Sequence, residues 1–144
     1  MKPPGHRMWH ACLLLLAMQA ITPLAGAAEI IVSPDVPVQS LSRSEARALF
    51  SMRKTRWPNG RPTRVFVLAE DSPAHQSLCK EALDLYPYQL REAVMRGVYT
   101  GVTQAPTHVE SEEEMKWLVA RTPGAIGYVT VMSKNDHVRT LSIR

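Results

Sequence analysis

A helix end that runs directly into a strand lies near the C-terminus, in residues 122–129. Pro123 cannot continue a helix, and Gly124 accepts the backbone angles of a tight reversal. The apolar residues that follow suit a buried strand, yet Gly127 interrupts them. Because glycine weakens a strand, it indicates close packing of a neighbouring element or contact with a ligand. Packing is the favoured interpretation, and ligand contact is the alternative.

Predicted strands and helices alternate along the rest of the chain. Ser42 and Ser111 each stand three residues before a glutamate, a pattern typical of the first turn of a helix. Ser72 is suited to the N-cap of another helix because Pro73 fits the first helical position. The resulting order β-α-β-α-α-α-β-β predicts an α/β fold with a mainly parallel or mixed sheet flanked by helices. The predicted strands are residues 29–33, 64–68, 124–129 and 138–143.

The first 28 residues have the pattern of a cleaved signal peptide. Lys2 and Arg7 give a positive start, residues 11–21 are apolar, and residues 25–28 are small. The apolar stretch is too short to span a bilayer, which argues against an uncleaved anchor. We therefore expect residues 29–144 to form one small domain, exported to the periplasm.

Arginine dominates the charge of that domain. The chain has 17 basic and 13 acidic residues, and removal of Lys2 and Arg7 leaves 15 basic residues. A cluster of basic residues comprises Arg43, Arg47, Arg53, Lys54, Arg56, Arg61 and Arg64. This cluster indicates either an anion-attracting face or a solvated loop. The predicted export and the scarcity of aromatic residues argue against binding of nucleic acid.

Catalytic and metal-binding patterns are not found in the sequence. His75, His108 and His137 lack the spacing of metal ligands, and no serine-hydrolase motif is present. Cys79 is the one cysteine beyond residue 28, and its apolar helical neighbours favour a small core residue. We therefore expect no metal, no cofactor and no enzymatic activity.

The segment 68–74 is the candidate ligand site that follows from the α/β order. Ligands of such sheets bind at the carboxyl ends of strands, near helix N-termini. Ser72 and Ala74 would meet a small anion there, although Pro73 lacks an amide hydrogen and Glu70 and Asp71 add negative charge. An ordinary capped helix start is the alternative interpretation.

Three segments together resemble the phosphate-type periplasmic substrate-binding proteins of ABC transporters. The first runs from Ser42 to Phe50 and continues through Trp57 to Gly60, the second is Val-Tyr-Thr-Gly at residues 98–101, and the third is Pro-Gly-Ala-Ile-Gly-Tyr-Val at residues 123–129. The resemblance implies one three-layer-like lobe of the type 2 periplasmic binding protein fold. Proteins of this family have two lobes that close over the ligand.

Two functions follow from this resemblance. The first is a solute-binding module that holds a small anion, with ligand contacts expected at Ser72, Ala74, Arg64, Thr100, Gly101 and Gly127. The second is a periplasmic interaction or sensory module that has lost the ligand, since the family's phosphate-loop arginine and its Ser-Gly-Thr correspond here to Leu68 and Ser-Pro-Ala. Its partner would be a membrane transporter or a sensor protein, and a homo-oligomer would also be compatible. The expected contact surface comprises Arg53, Arg56 and Trp57.

Overall fold

A computed structural model describes residues 26–144. The predicted signal peptide, residues 1–28, therefore lies outside the described residues except for its last three. No helix within the described part of the chain is long and apolar enough to cross a membrane.

Six strands and four α-helices make up the described residues. They are β1 (Glu29–Val32), β2 (Ser40–Leu41), α1 (Arg43–Phe50), β3 (Arg64–Val67), α2 (Pro73–Ser77), α3 (Pro87–Tyr99), β4 (Thr107–His108), α4 (Glu112–Arg121), β5 (Ala125–Val129) and β6 (Arg139–Ile143). A π-helical segment, Leu78–Leu83, continues α2 and ends at Asp84, whose backbone is left-handed. The four long strands and the helices were predicted from sequence. The two-residue strands β2 and β4 were not predicted.

The sheet is mixed, with the strand order β2-β6-β1-β5-β3-β4. Strand β3 is parallel to both β5 and β4, whereas β1 is antiparallel to β5 and β6. The carboxyl ends of β3, β4 and β5 therefore lie at the same edge of the sheet. This arrangement confirms the predicted α/β class and the mixed sheet.

Helices cover both faces of the central strand β5. Neighbouring residues on a strand point to opposite faces, and here Gly127 faces α4 whereas Tyr128 faces α1 and α2. A Cβ atom at Gly127 would collide with Met115 and press on Val119 of α4. The molecule is thus a three-layer lobe, and the glycine in the core strand allows α4 to approach the sheet.

The turn before β5 is held by hydrogen bonds from distant parts of the chain. The indole Nε1 of Trp57 and the backbone N of Arg64 both donate to the carbonyl oxygen of Gly124, at 2.9 Å and 3.0 Å. The Gly124 amide donates in turn to Asp35 Oδ1 at 3.2 Å. Gly124 has φ of +75°, and a Cβ there would collide with the Pro62 carbonyl oxygen. Glycine is therefore required at this turn.

The two predicted capping boxes differ in the structure. At α1 the box is complete, because Ser42 N donates to Glu45 Oε2 at 2.8 Å and Glu45 N donates to Ser42 Oγ at 3.2 Å. At α4, Ser111 Oγ accepts from Glu114 N at 3.1 Å, but the Glu114 carboxylate accepts from Glu110 N instead. The second box is therefore half formed.

Replacement of Gly127 by alanine tests the packing of α4. Overpacking in a filled core costs about 1–3 kcal/mol, so we expect Gly127→Ala to lower the free energy of unfolding by that amount in urea denaturation. In a Met115→Ala background the added methyl group has room, and the cost of Gly127→Ala should shrink. An equal cost in both backgrounds would show that α4 does not set the requirement for glycine.

Candidate functional site

A pocket lies at the carboxyl edge of β3 and β4, between α1, α2 and α3. It has a volume of about 230 Å³, and we call it the edge pocket. Ligand sites typically have volumes of roughly 300–1,000 Å³, so this one suits a small molecule. Its apolar walls come mainly from α1, α3 and the segment before β4, and include Phe50, Leu90, Val94 and Pro106. Its polar lining residues are Glu70, His75, Arg91 and His108.

An ion pair joins two of these polar residues. Arg91 Nη1 lies 2.6 Å from both carboxylate oxygens of Glu70. Both side chains are substantially exposed, and exposed pairs contribute about 0–1 kcal/mol to stability. A ligand carboxylate can therefore share or replace Glu70 as the partner of Arg91 at little cost.

A buried hydrogen-bond chain supports the floor of the pocket. The Leu68 backbone N donates to the Tyr128 hydroxyl at 2.8 Å, and that hydroxyl lies 2.7 Å from His75 Nδ1. The hydroxyl accepts from Leu68 N, and in the tautomer with the imidazole proton on Nε2 it donates its own hydrogen to Nδ1. Nε2 faces the sulfur of Cys79 at 3.6 Å. Both imidazole nitrogens therefore have partners inside the protein.

Burial keeps the side chains of His75, Cys79 and Tyr128 uncharged. Burial lowers the pKa of His75. The charge of Glu70 opposes this effect, and the neighbouring His108 lowers the pKa further. Burial raises the pKa of the Cys79 thiol to about 11 and that of the Tyr128 phenol well above its usual value of 10. At pH 7 the imidazole, the thiol and the phenol are therefore all neutral. They hold neighbouring backbone in place, and none is activated as a nucleophile.

The start of α2 is a capped helix end. Ser72 Oγ accepts from His75 N at 3.2 Å, and the Ser72 carbonyl accepts from Gln76 N at 3.0 Å. Pro73 has no amide hydrogen, which leaves the buried Ala74 as the uncommitted donor of the first turn. The Ser72 hydroxyl is thus already used by its own helix.

Neither Ser72 nor Ala74 lines the edge pocket, and the other four predicted ligand residues lie elsewhere in the molecule. Arg64 begins β3 and is next to Gly124, at the edge of the sheet opposite Ser72. Thr100 ends α3 and donates its hydroxyl to the Arg96 carbonyl oxygen at 2.9 Å, and Gly101 follows with φ of +71°. Gly127, as described above, is covered by α4. The structure does not bring this set together around one ligand.

The predicted contact surface separates into core and surface parts. Trp57 is 2% exposed and lies in the core, so it contributes no contact area. Arg56 is exposed and donates to the Gly60 carbonyl oxygen at 2.8 Å, and Arg53 Nε donates to Ser51 Oγ at 3.2 Å. Of the three predicted contact residues, Arg53 and Arg56 therefore reach the surface and Trp57 does not.

The segment 68–74, named from sequence as a candidate site, supplies Leu68 and Glu70 to the edge pocket, whereas sequence reasoning missed the lining residues outside that segment. One available signal was the spacing of Ser72, His75 and Cys79, which places the last two on the inward face of a helix that begins at Ser72. The pairing of Arg91 with Glu70 has no local signal, since it depends on how α3 packs beside α2. Among residues 26–144, no group of three His, Cys, Asp or Glu side chains could hold a metal ion.

Comparison with solved structures identifies the fold. The chain is similar to an ABC-type phosphate transport receptor from Vibrio cholerae (TM-score 0.62, 17% identity, 81% of this chain and 46% of that one). It is also similar to PstS from Borrelia burgdorferi (TM-score 0.63, 16% identity, 82% of this chain and 47% of that one). A third similar structure is a phosphate-type ABC transporter substrate-binding protein with bound phosphate from Clostridium perfringens (TM-score 0.62, 17% identity, 81% of this chain and 44% of that one).

The resemblance seen in the sequence is confirmed by these structures at the level of the fold. The chain spans just under half the length of these neighbours, which fits one lobe. No protein-family model and no curated protein sequence matches it.

The buried imidazole predicts a pH dependence of stability. The pKa of His75 lies below its ordinary value of 6.5 when the protein is folded, so the unfolded chain binds a proton more readily. The contribution of the neutral His75 to the free energy of unfolding is complete above pH 6.5. This contribution is lost as the pH falls from 6.5 to the pKa of His75 in the folded protein. We expect urea denaturation to show a loss of at most about 1.4 kcal/mol per pH unit below pH 6.5 from this residue.

Two variants separate His75 from other titrating groups. His75→Gln should lower stability at pH 7, because the Tyr128 hydroxyl loses its partner, and should flatten the profile between pH 7 and pH 5.5. His137→Gln changes an exposed histidine and should keep the wild-type profile. A profile that is equally steep in His75→Gln would contradict the assignment.

Proposed function

We propose that the protein is an exported, non-enzymatic substrate-binding-like protein that holds a small organic acid in the edge pocket. Its carboxylate would bind Arg91, and its apolar body would lie against the partly exposed Met95 and Pro106. The observation that carries the proposal is an apolar pocket with an exchangeable arginine partner at the carboxyl edge of parallel strands, where ligands of α/β sheets bind.

The walls of the edge pocket favour a carboxylic acid over inorganic phosphate. A phosphate dianion needs several charge-assisted donors at close range. In the edge pocket Arg91 supplies one guanidinium, and the carboxylate of Glu70 adds a negative charge. An acid with a short apolar chain needs a single cation and gains from the apolar walls.

Export and transport follow from different observations. The signal peptide proposed for residues 1–28 would send the domain to the periplasm. The named neighbours are transport receptors and substrate-binding proteins of ABC transporters, which supports a membrane transporter as the partner. A binding role without catalysis agrees with the uncharged, fully partnered state of His75, Cys79 and Tyr128.

The alternative is an interaction or sensory module of the envelope. A specific observation favours it: Tyr86 and Tyr88 are exposed and stack with ring centroids 5.8 Å apart, beside Glu70 at the same edge of the sheet. Exposed aromatic pairs are typical of protein contact surfaces. A second lobe or a partner subunit would cover such a pair.

Calorimetric titration with hexanoate, benzoate and inorganic phosphate tests the proposal. We expect hexanoate or benzoate to bind and to raise the melting temperature, and phosphate at millimolar concentration to do neither. Arg91→Gln should weaken hexanoate binding by roughly 10–100-fold, since it removes a charge-assisted hydrogen bond worth about 1.5–3 kcal/mol.

Arg121→Gln is the control, because Arg121 is exposed on α4 and does not line the edge pocket. It should leave hexanoate binding unchanged. No heat with either organic acid, or equal binding by wild type and Arg91→Gln, would contradict the proposal and leave the interaction module as the better account.

A further inference from the structure

A second, larger groove lies on the other side of α3, between the C-terminal ends of α1 and α3. It has a volume of about 650 Å³. Three guanidinium groups line it together with two threonines at the end of α3, and we call it the arginine groove. These residues are Arg47, Arg53, Arg96, Thr100 and Thr103.

The positive charge of the arginine groove is only partly neutralised. Arg47 lies 3.3 Å from the carboxylate of Asp84, which also lies 4.0 Å from Arg43. Among residues 26–144, Arg53 and Arg96 have no carboxylate within 4.0 Å, and this includes Glu92, one turn before Arg96 on the same helix. Two arginines are therefore available to carboxylates from outside.

The end of α3 does not oppose an anion in this groove. The Gly97 carbonyl oxygen accepts from Val102 N at 3.0 Å and Thr103 N at 3.2 Å, and the Arg96 carbonyl oxygen accepts from the Thr100 hydroxyl at 2.9 Å. These bonds weaken the negative potential of the helix end. The Thr103 Oγ1 is buried against Gly97 and has no hydrogen-bond partner among the described residues, so it offers no contact to a ligand in the groove.

Apolar side chains beside the groove indicate the size of the ligand. Val102 lines the groove and is 79% exposed, and Tyr99, which precedes the groove residue Thr100, is 82% exposed. A small inorganic anion gains nothing from these surfaces, whereas a peptide would bury them. Arginine and tyrosine beside an apolar residue are also the composition of protein contact sites.

We propose that the arginine groove binds an acidic segment of a protein partner. Carboxylates of that segment pair with Arg53 and Arg96, and an apolar side chain packs on Val102. Planar guanidinium groups suit carboxylates because they bind in a two-point geometry. The groove is separate from the edge pocket, so a partner could dock here whether or not a small ligand is bound.

Fluorescence anisotropy with a fluorescein-labelled peptide of four glutamates around one phenylalanine tests the proposal on the full chain. We expect saturable binding by wild type that weakens as salt is added, since screening reduces charge pairing. The double variant Arg53→Gln, Arg96→Gln should bind at least about tenfold more weakly, and the uncharged Val102→Ser should also weaken binding. Arg121→Gln, on α4 and outside both the groove and the edge pocket, should bind as wild type does.

Three results would overturn the proposal. The first is no binding by wild type at peptide concentrations up to one millimolar. The second is equal affinity in wild type and the double arginine variant. The third is displacement of the peptide by citrate with no effect of Val102→Ser, which would make the groove a site for small anions instead.

Discussion

The organisation of the candidate site depends on the two hydrogen bonds of the Tyr128 hydroxyl. The hydroxyl lies between the amide of Leu68, where β3 ends, and the imidazole of His75 on α2. The Tyr128 side chain, on the central strand β5, thus fixes where its neighbour in the sheet, β3, ends. It also fixes where α2, the helix that follows β3 in the sequence, begins. The edge pocket lies directly over this junction, and its shape is therefore determined from inside the core. Loss of this hydroxyl would leave a buried amide and an imidazole nitrogen without partners.

The motifs that carry the family resemblance have structural roles in this molecule. Trp57, from the first motif, donates to Gly124 in the third, and Gly127 admits α4. Thr100 and Gly101, from the second motif, close the end of α3. Such residues maintain a fold without specifying a ligand, so a protein can keep them while its binding loop changes. Similar folds at 16–17% identity fit this separation of fold from function.

Local chemistry determined which elements the sequence could predict. Ser42, Ser72 and Ser111 mark helix starts because a side-chain oxygen must satisfy free amides there, and all three do so in the structure. Strands β2 and β4 have two residues each and exist only through pairing with β6 and β3, which no local pattern encodes. Within the candidate site, the cap at Ser72 was predictable. The contact of Arg91 with Glu70 and the grouping of Arg53 with Arg96 were not, since both arise from the packing of α3 against distant segments.

The central claim is that binding takes place in the edge pocket and that the family motifs support it from the core. A titration of ¹⁵N-labelled protein with hexanoate, followed by two-dimensional NMR, measures this most directly. The account predicts that the largest amide shifts occur at Leu68, Arg91 and His108, which line the pocket, and that Arg53 and Thr100 stay unchanged. Largest shifts in the arginine groove, or no shifts at the carboxyl edge of β3, would contradict it.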